Sequence, residues 1–183
     1  MRRHELEHVI GAAANIVGET DFVVIGSQAI LGTYPDAPEP LLRSMEADIY
    51  PLESPEKADE IDGALGDGSP FHRQFGYYAH GVGPETPKAP AGWEVRLVRV
   101  RVPSRPGSQR GELTALCLEI HDLVLAKCAA GRDRDWEFAR DAIAAGLVAT
   151  DELFERVVEL PVDAGRQQHV RSMLCSIIER LER

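Results

Sequence analysis

Apolar positions near the start of the chain predict a helix, a buried strand and a tight turn. Between residues 6 and 17 apolar side chains recur at helical spacing, and Gly18 follows as a helix stop. The continuous apolar run 22–25 indicates a buried strand that leads directly into Gly26. A short helical stretch is predicted over 28–31, so a strand-to-helix turn is expected at Gly26.

Later segments of the N-terminal half have patterns of their own. Residues 45–50 alternate acidic and apolar side chains, as a half-buried strand does. A helix is predicted over 54–65, with Ser54 as its N-cap and a proline in its first turn. Residues 71–83 are aromatic and glycine-rich, which indicates a loop or irregular strands. The longest predicted strand is 94–102, where a slip in the apolar phase indicates a bulge.

Beyond residue 112 the pattern changes from strands to helices only. A turn-rich connection is predicted at 103–111, and Asp122 is expected to be the N-cap of the next helix. Helices are expected over about 122–130, 132–145, 151–159 and 165–181. The shift predicts an α+β fold with a mixed-sheet core at 1–111 and a helical part at 112–183, packed together.

Composition limits the class of protein. With 183 residues, 44% of them apolar, the chain suits one domain with a real core. Its first residues are charged and no apolar run follows, so no signal peptide is expected. No stretch reaches the roughly 20 apolar residues of a membrane span. Three widely separated cysteines, at 117, 128 and 175, fit a reducing cytoplasm and no zinc site.

The charge distribution bears on nucleic-acid binding. A formal net charge of -10 disfavours long-range attraction of the whole chain to nucleic acid. Positive charge is nevertheless concentrated in one segment, at Arg96, Arg99, Arg101, Arg105 and Arg110. These arginines form either a local basic patch or a solvated strand and loop, and both interpretations stay open.

The turn at Gly26 and Ser27 is a candidate phosphate site. Backbone N–H groups in such a turn, together with the start of the following helix, can bind a phosphate. Gly26 lets the phosphate approach the backbone, and Ser27 can donate a hydrogen bond to an oxygen. The alternative is an ordinary strand-to-helix turn with Ser27 as N-cap.

Glu46 and Asp48 form a candidate metal site. Positions two apart on a strand point to the same face, so both carboxylates project together while Ala47 and Ile49 face the core. Two adjacent like charges repel unless a cation lies between them, and a divalent ion shared with substrate phosphates is the usual answer. The alternative is an exposed strand edge that carries acids for solubility.

Other acids and histidines carry weaker signals. Glu94 begins a predicted strand and either supplies a third metal ligand or faces solvent. His72, His80 and His121 show no ligand spacing between them, so no role is predicted for them.

Lys127 is a third candidate because it lies on an otherwise apolar helix. A buried lysine without a partner costs several kcal/mol, so its ammonium group either reaches the surface or binds an anion. Asp135 lies eight positions further on, about 80° round if the helix continues, and faces the same cleft in that case. Arg132 and Arg134 either bind phosphate or are solvated.

The glycine–serine turn and the acid pair lie about 20 positions apart, joined by one helix and one loop. This combination matches the signature of the nucleotidyltransferase superfamily. Five segments resemble a family of bacterial nucleotidyltransferase-like proteins that is similar to the AbiEii and MenT toxins of toxin–antitoxin systems. They are 26–32 (GSQAILG), 44–51 (SMEADIYP), 71–82 (FHRQFGYYAHGV), 92–98 (GWEVRLV) and 122–138 (DLVLAKCAAGRDRDWEF).

The resemblance implies a small mixed sheet with a helical C-terminal part, Mg²⁺ or Mn²⁺ as cofactor, and a nucleoside triphosphate as substrate. By position it implies that Gly26 and Ser27 hold the triphosphate and Glu46 and Asp48 the metal, and it matches Lys127 and Asp135 to a lysine and an aspartate of the toxin group. Our working interpretation adds Gln28, Lys127 and Arg132 to the nucleotide-binding residues. It predicts catalytic roles for Glu46, Asp48, Lys127 and Asp135. The resemblance makes tRNA or another RNA a candidate acceptor and an antitoxin protein a candidate partner.

One position departs from the superfamily pattern, because Glu46 stands where aspartate is more common. The rival interpretation is therefore a catalytically degenerate module that binds a nucleotide or a partner protein on the same fold.

Overall fold

The protein is described here by a computed structural model that covers residues 1–103 and 111–183. Most of the predicted turn-rich connection, with Arg105 and Arg110, lies outside the described residues. The described helices are α1 (Arg3–Val17), α2 (Ile30–Thr33), α3 (Ala58–Leu65), α4 (Pro70–Phe75), α5 (Ile120–Ala130), α6 (Asp133–Ala144), α7 (Thr150–Arg156) and α8 (Ala164–Leu181). The described strands are β1 (Asp21–Ile25), β2 (Glu46–Pro51), β3 (Tyr78–Gly81), β4 (Val98–Val102) and β5 (Leu113–Cys117).

These strands form one mixed sheet in the order β3-β2-β1-β5-β4. β1 is antiparallel to β2 and parallel to β5, β3 is parallel to β2, and β4 is antiparallel to β5. The register places Ile25 opposite Asp48, and Asp48 opposite His80. The last residue of β1 therefore lies beside the acidic part of β2, with β3 on the far side of that strand.

β1 occupies the centre of the sheet because its side chains are apolar on both faces. Every residue from Phe22 to Ile25 is almost completely buried. Helix α1 contacts β2, β4 and β5, while α2 contacts β4 and β5. Helix α1 ends at Gly18, as predicted, and the Gly18 N–H donates to the carbonyl of Ala14. This packing fixes the position of the end of β1, and the turn at Gly26 comes directly after it in the chain.

The helical part is organised around α5, which contacts α6, α7 and α8. Glu119 is the N-cap of α5 and accepts hydrogen bonds from the backbone N–H groups of His121 (3.0 Å) and Asp122 (3.4 Å). Asp122 is fully buried and accepts from Arg96 (2.7 Å) and Arg156 (2.9 Å). The prediction that Asp122 caps this helix is therefore wrong, because its carboxylate is taken up by two arginines.

The predicted fold class is confirmed, since a mixed sheet is flanked by helices and followed by a helical part. The prediction of helices alone after residue 112 is wrong, because Leu113–Cys117 forms β5 within the sheet. The division into 1–111 and 112–183 stays a prediction. A core of residues 1–111 would lack β5, which pairs with both β1 and β4, so we expect the two parts to fold together.

Three further local predictions differ from the structure. Trp93–Arg96 is a 3-10 turn and the strand begins at Val98, so the slip in apolar phase marks a turn and not a bulge. The segment 71–83, predicted as a loop or irregular strands, contains most of α4 and all of β3. Ser54 makes no capping hydrogen bond, because its hydroxyl donates to Glu19.

Among the described residues, no helix has the length and apolarity needed to cross a membrane.

Candidate active site

Gly26 and Asp48 are packed against each other at the end of β1. Gly26 has φ 65° and ψ -167°, a conformation that is essentially confined to glycine. A Cβ atom at this position would lie 1.9 Å from Asp48 Oδ2. Two separate constraints therefore require glycine at position 26: its backbone conformation and the close approach of the Asp48 carboxylate.

Ser27 and Gln28 follow in a short 3-10 turn, but only Ser27 reaches the cleft. Gly26 occupies the N-cap position, and the structure gives no hydrogen bond from the Ser27 hydroxyl to a described residue. The alternative interpretation of Ser27 as an N-cap is therefore wrong. The Gln28 side chain is buried and its Nε2 donates to the carbonyl of Ser44 at 2.8 Å. Gln28 does not line the cleft, and its nucleotide-binding role stays a prediction.

Glu46 and Asp48 project from the same face of β2, together with a histidine from β3. His80 Nδ1 lies 2.9 Å from Glu46 Oε1 and 3.0 Å from Asp48 Oδ1. One potential ligand atom from each of the three residues lies within 4.8 Å of the other two. Two carboxylate oxygens and an imidazole nitrogen are suitable ligands for a divalent ion. The close approach that Gly26 permits brings this group next to the turn.

Electrostatics in this group are set by burial and by like charge. Burial first, and the neighbouring Glu46 carboxylate second, raise the pKa of Asp48, although His80 and Lys127 oppose this change. Burial lowers the pKa of His80, but the hydrogen bond and charge of Asp48 and the charge of Glu46 outweigh it, so the net shift is upward. The group therefore concentrates negative charge that a cation would neutralise.

Lys127 reaches the same cleft from α5. Its side chain is only 12% exposed, its Nζ lies 3.4 Å from Asp135 Oδ1, and it stands 4.8 Å from the centre of the Phe138 ring. Burial lowers the pKa of Lys127, and the charge of Asp135 opposes that change. Lys127 does not extend to the surface, and its Nζ pairs with the Asp135 carboxylate.

Asp135 is fully buried and holds two cations. Besides Lys127, it accepts a hydrogen bond from Arg132 Nε at 2.7 Å and another from the Arg132 backbone N–H at 3.3 Å. Burial raises the pKa of Asp135, but these interactions outweigh it and the net shift is downward. Helix α5 stops at Gly131, so the two residues meet across the junction of α5 and α6 and not along one continuous helix. Asp135 thus fixes the direction of Lys127.

These elements enclose an open cleft of about 610 Å³. Its charged lining residues are Arg43, Glu46, Asp48, Lys88, Lys127, Arg132, Arg134, Glu137 and Asp141. Gly26, Ser27 and His80 also line it, and apolar side chains such as Leu41, Leu123 and Phe138 form the remainder. A cleft of this size, lined by both carboxylates and cations, suits a small, highly charged ligand.

Two predictions about neighbouring residues need correction. Glu94 is exposed on the turn Trp93–Arg96 and does not line the cleft, so it is no third ligand. The arginines of the described part of the 96–110 segment are paired with acids and form no free basic patch. Arg96 pairs with Asp122, Arg99 with Asp21 and Arg101 with Glu112.

His80 is the residue that sequence reasoning missed. The sequence has no second potential metal ligand within a few positions of His80, and nothing in the local pattern identifies β3 as a neighbour of β2. The usable signal is the alternation Tyr78-Ala79-His80, because a strand here places His80 on the face opposite to that of buried Ala79.

A mixed sheet with a glycine–serine turn facing an acid pair is the arrangement that the resemblance to nucleotidyltransferases implies, and comparison with known families bears on the class. The model of the family described as "Nucleotidyltransferase of unknown function (DUF6036)" matches residues 4–181, so the chain belongs to this family. Searches of curated proteins and of solved structures found no match to the chain.

Proposed function

We propose that the protein is a divalent-metal-dependent nucleotidyltransferase that moves a nucleoside monophosphate from a nucleoside triphosphate to an acceptor hydroxyl. One observation carries the proposal: Glu46 and Asp48 share one cleft with the Gly26–Ser27 turn and with Lys127. Membership in a nucleotidyltransferase family supports the same reaction class.

Different residues of the site bind different parts of the nucleoside triphosphate. The Gly26–Gln28 backbone and the Ser27 hydroxyl bind the outer phosphates, because this turn presents N–H groups without a side chain at its first position. Lys127 neutralises phosphate charge and is held in direction by Asp135. Arg132, which is more than half exposed, adds a second cation at the cleft.

The metal belongs between the carboxylates. Glu46 and Asp48 would hold Mg²⁺ or Mn²⁺ there, since oxygen-rich sites suit both ions. When bound, such an ion supplies Lewis acidity toward the α-phosphate and lowers the pKa of a coordinated hydroxyl.

The transfer itself is a displacement at phosphorus. The acceptor oxygen forms a bond to the α-phosphorus, the bond from that phosphorus to the bridging oxygen breaks, and pyrophosphate leaves with the electron pair. The proton of the acceptor hydroxyl is released to water in the open cleft. Lys127 lies near the charge that develops on the phosphates.

An RNA end, such as that of a tRNA, is the acceptor that we propose. Exposed cations at the cleft, namely Arg43, Lys88, Arg132 and Arg134, offer positions for a polyanionic backbone. Lys88 and Arg134 form no ion pair within the described part of the chain. A protein partner of the antitoxin type is part of the same proposal and rests on the resemblance alone.

A catalytically degenerate binding module is the second candidate. The observation that favours it is the ion pairing of His80 with both acids, which offsets one of their two negative charges without a metal. In that case a nucleotide binds in the cleft and no transfer follows.

Equilibrium binding and turnover separate these candidates. Labelled ATP, CTP, GTP and UTP are titrated with and without Mg²⁺ or Mn²⁺, and the same mixtures are then incubated with a pool of cellular RNA. Metal-dependent binding with label in RNA supports the transferase. Binding without transfer to any acceptor supports the degenerate module, and no binding at all contradicts both.

A further inference from the structure

His80 differs from the acids of the cleft because it brings a nitrogen atom to the group. It is paired in register with Asp48 on the neighbouring strand, which places both side chains on one face of the sheet. Its side chain is 48% exposed, so burial does not force the ring into this position. The ring nevertheless presents one nitrogen, Nδ1, to both carboxylates.

Only one of the two contacts that Nδ1 makes is a hydrogen bond. Nδ1 carries at most one hydrogen, and the contact with Asp48 is the one that has hydrogen-bond geometry. The contact with Glu46, at 2.9 Å, is an ion-pair distance without a hydrogen bond of its own. One nitrogen that faces two carboxylate oxygens, at 2.9 Å and 3.0 Å, is compatible with three ligands around a cation.

The distances agree with such a centre. Adjacent ligands of an octahedral ion with bonds of about 2.1 Å lie about 3.0 Å apart. The two distances from His80 Nδ1, to Glu46 Oε1 and to Asp48 Oδ1, are 2.9 Å and 3.0 Å. Both therefore fit adjacent positions around one ion.

We propose that His80 is the third protein ligand of the ion held by Glu46 and Asp48, and that its nitrogen makes the site prefer Mn²⁺ to Mg²⁺. The inference rests on the proposed function, since it concerns the metal of that site. Mg²⁺ is a hard ion that binds oxygen and gives up water reluctantly, whereas first-row transition ions accept an imidazole nitrogen. Two carboxylates and substrate phosphates keep the remaining ligands oxygen, which suits Mn²⁺.

Electron spin-echo spectroscopy tests ligation directly. The protein is loaded with Mn²⁺ alone, once with natural histidine and once with ¹⁵N-labelled histidine. We expect modulation from a directly bound ¹⁴N nucleus that changes to the ¹⁵N pattern on labelling. Mn²⁺ bound in the protein without any histidine nitrogen signal would overturn the assignment, and this readout needs no variant.

Variants test the preference. His80→Asp replaces the nitrogen ligand by a carboxylate, and His169→Asp makes the same chemical change on an exposed residue of α8 outside the cleft. Calorimetric titration should show wild type and His169→Asp binding Mn²⁺ about tenfold or more tightly than Mg²⁺. His80→Asp should lose the nitrogen signal and most of the preference for Mn²⁺ over Mg²⁺.

The outcomes separate this inference from the proposed function. An unchanged Mn²⁺/Mg²⁺ ratio in His80→Asp, with ion binding still abolished by Asp48→Asn, removes His80 from the site and leaves the transferase proposal intact. Failure of the wild-type protein to bind either ion overturns both.

Discussion

Replacing Gly26 by alanine tests the contact on which the site is built. The backbone of Gly26 lies in a region that costs other residues about 1–3 kcal/mol. The added methyl group would also meet Asp48 Oδ2 at 1.9 Å, so the carboxylate must move away from the turn. We expect a loss of ~3 kcal/mol, which lowers Tm by about 6–12 °C for a chain of this size, together with loss of metal binding.

Gly76→Ala is the matched control. Gly76 also has a positive φ, 78°, but a Cβ atom there would meet nothing within 4 Å. This variant should lose only about 1 kcal/mol, or about 2–4 °C in Tm, from backbone strain, and should bind metal normally. Differential scanning calorimetry and calorimetric Mn²⁺ titration measure both quantities. Equal destabilisation of the two variants, with normal metal binding in Gly26→Ala, would refute the packing of Asp48 against Gly26.

Three further changes have expected outcomes. Asp48→Asn should keep or raise the Tm of the metal-free protein, because it removes a carboxylate whose pKa is raised by burial and by the like charge of Glu46. A gain of 1 kcal/mol would raise the Tm by about 2–4 °C. A calorimetric scan without metal measures this, and a lower Tm contradicts it. Lys127→Met keeps the apolar stem but removes one of the two cations paired with buried Asp135, so it should cost about 1–3 kcal/mol. It should also weaken triphosphate binding; normal binding would assign this lysine a structural role only. Burial raises the pKa of Glu119, but the hydrogen bonds and charges of His121 and Arg156 lower it to about 2. Because the pKa of Glu119 is lower in the folded than in the unfolded state, its carboxylate stabilises the fold at pH values above the unfolded-state pKa. This contribution is lost as the pH falls toward 2. Glu119→Gln should therefore cost on the order of 3 kcal/mol at pH 7 and progressively less in acid, as urea unfolding at several pH values would show; a constant difference across that range contradicts the assignment.

Periodic elements of the fold were predictable because their patterns are local. The first helix with its glycine stop, the apolar strand β1 and the alternating strand β2 follow from spacing alone. The same alternation places Glu46 and Asp48 on one face of β2, and their roles stay predictions.

Elements defined by pairing were not predictable in the same way. Strand β5 is short and buried throughout, and periodicity cannot distinguish such a run from a buried helix. Trp93–Arg96 has strand-like residues but turns, because Arg96 reaches back to buried Asp122. These outcomes depend on contacts between residues that are distant in the sequence.

His80 shows the limit most clearly. A lone histidine after a run of aromatic residues carries no local signal of ligation. Its position beside Glu46 and Asp48 depends on the parallel pairing of β2 with β3, across more than thirty residues of chain. The helix break at Gly131 was predicted from the sequence, and the structure has Gly131 as the C-cap of α5 and Arg132 as the N-cap of α6. The contact of Lys127 with Asp135 across that break depends on how α5 packs against α6, which the local pattern does not give.

The fate of the two ends of the triphosphate tests the central claim most directly. Nucleoside triphosphates labelled at the α-phosphate or at the γ-phosphate are incubated with the protein, Mn²⁺ or Mg²⁺, and the RNA pool, beside Asp48→Asn as control. Nucleotidyl transfer predicts α-label in RNA and γ-label in released pyrophosphate, with both lost in the variant. Label from the γ-phosphate on the acceptor, or no label on any acceptor under any of these conditions, would contradict it.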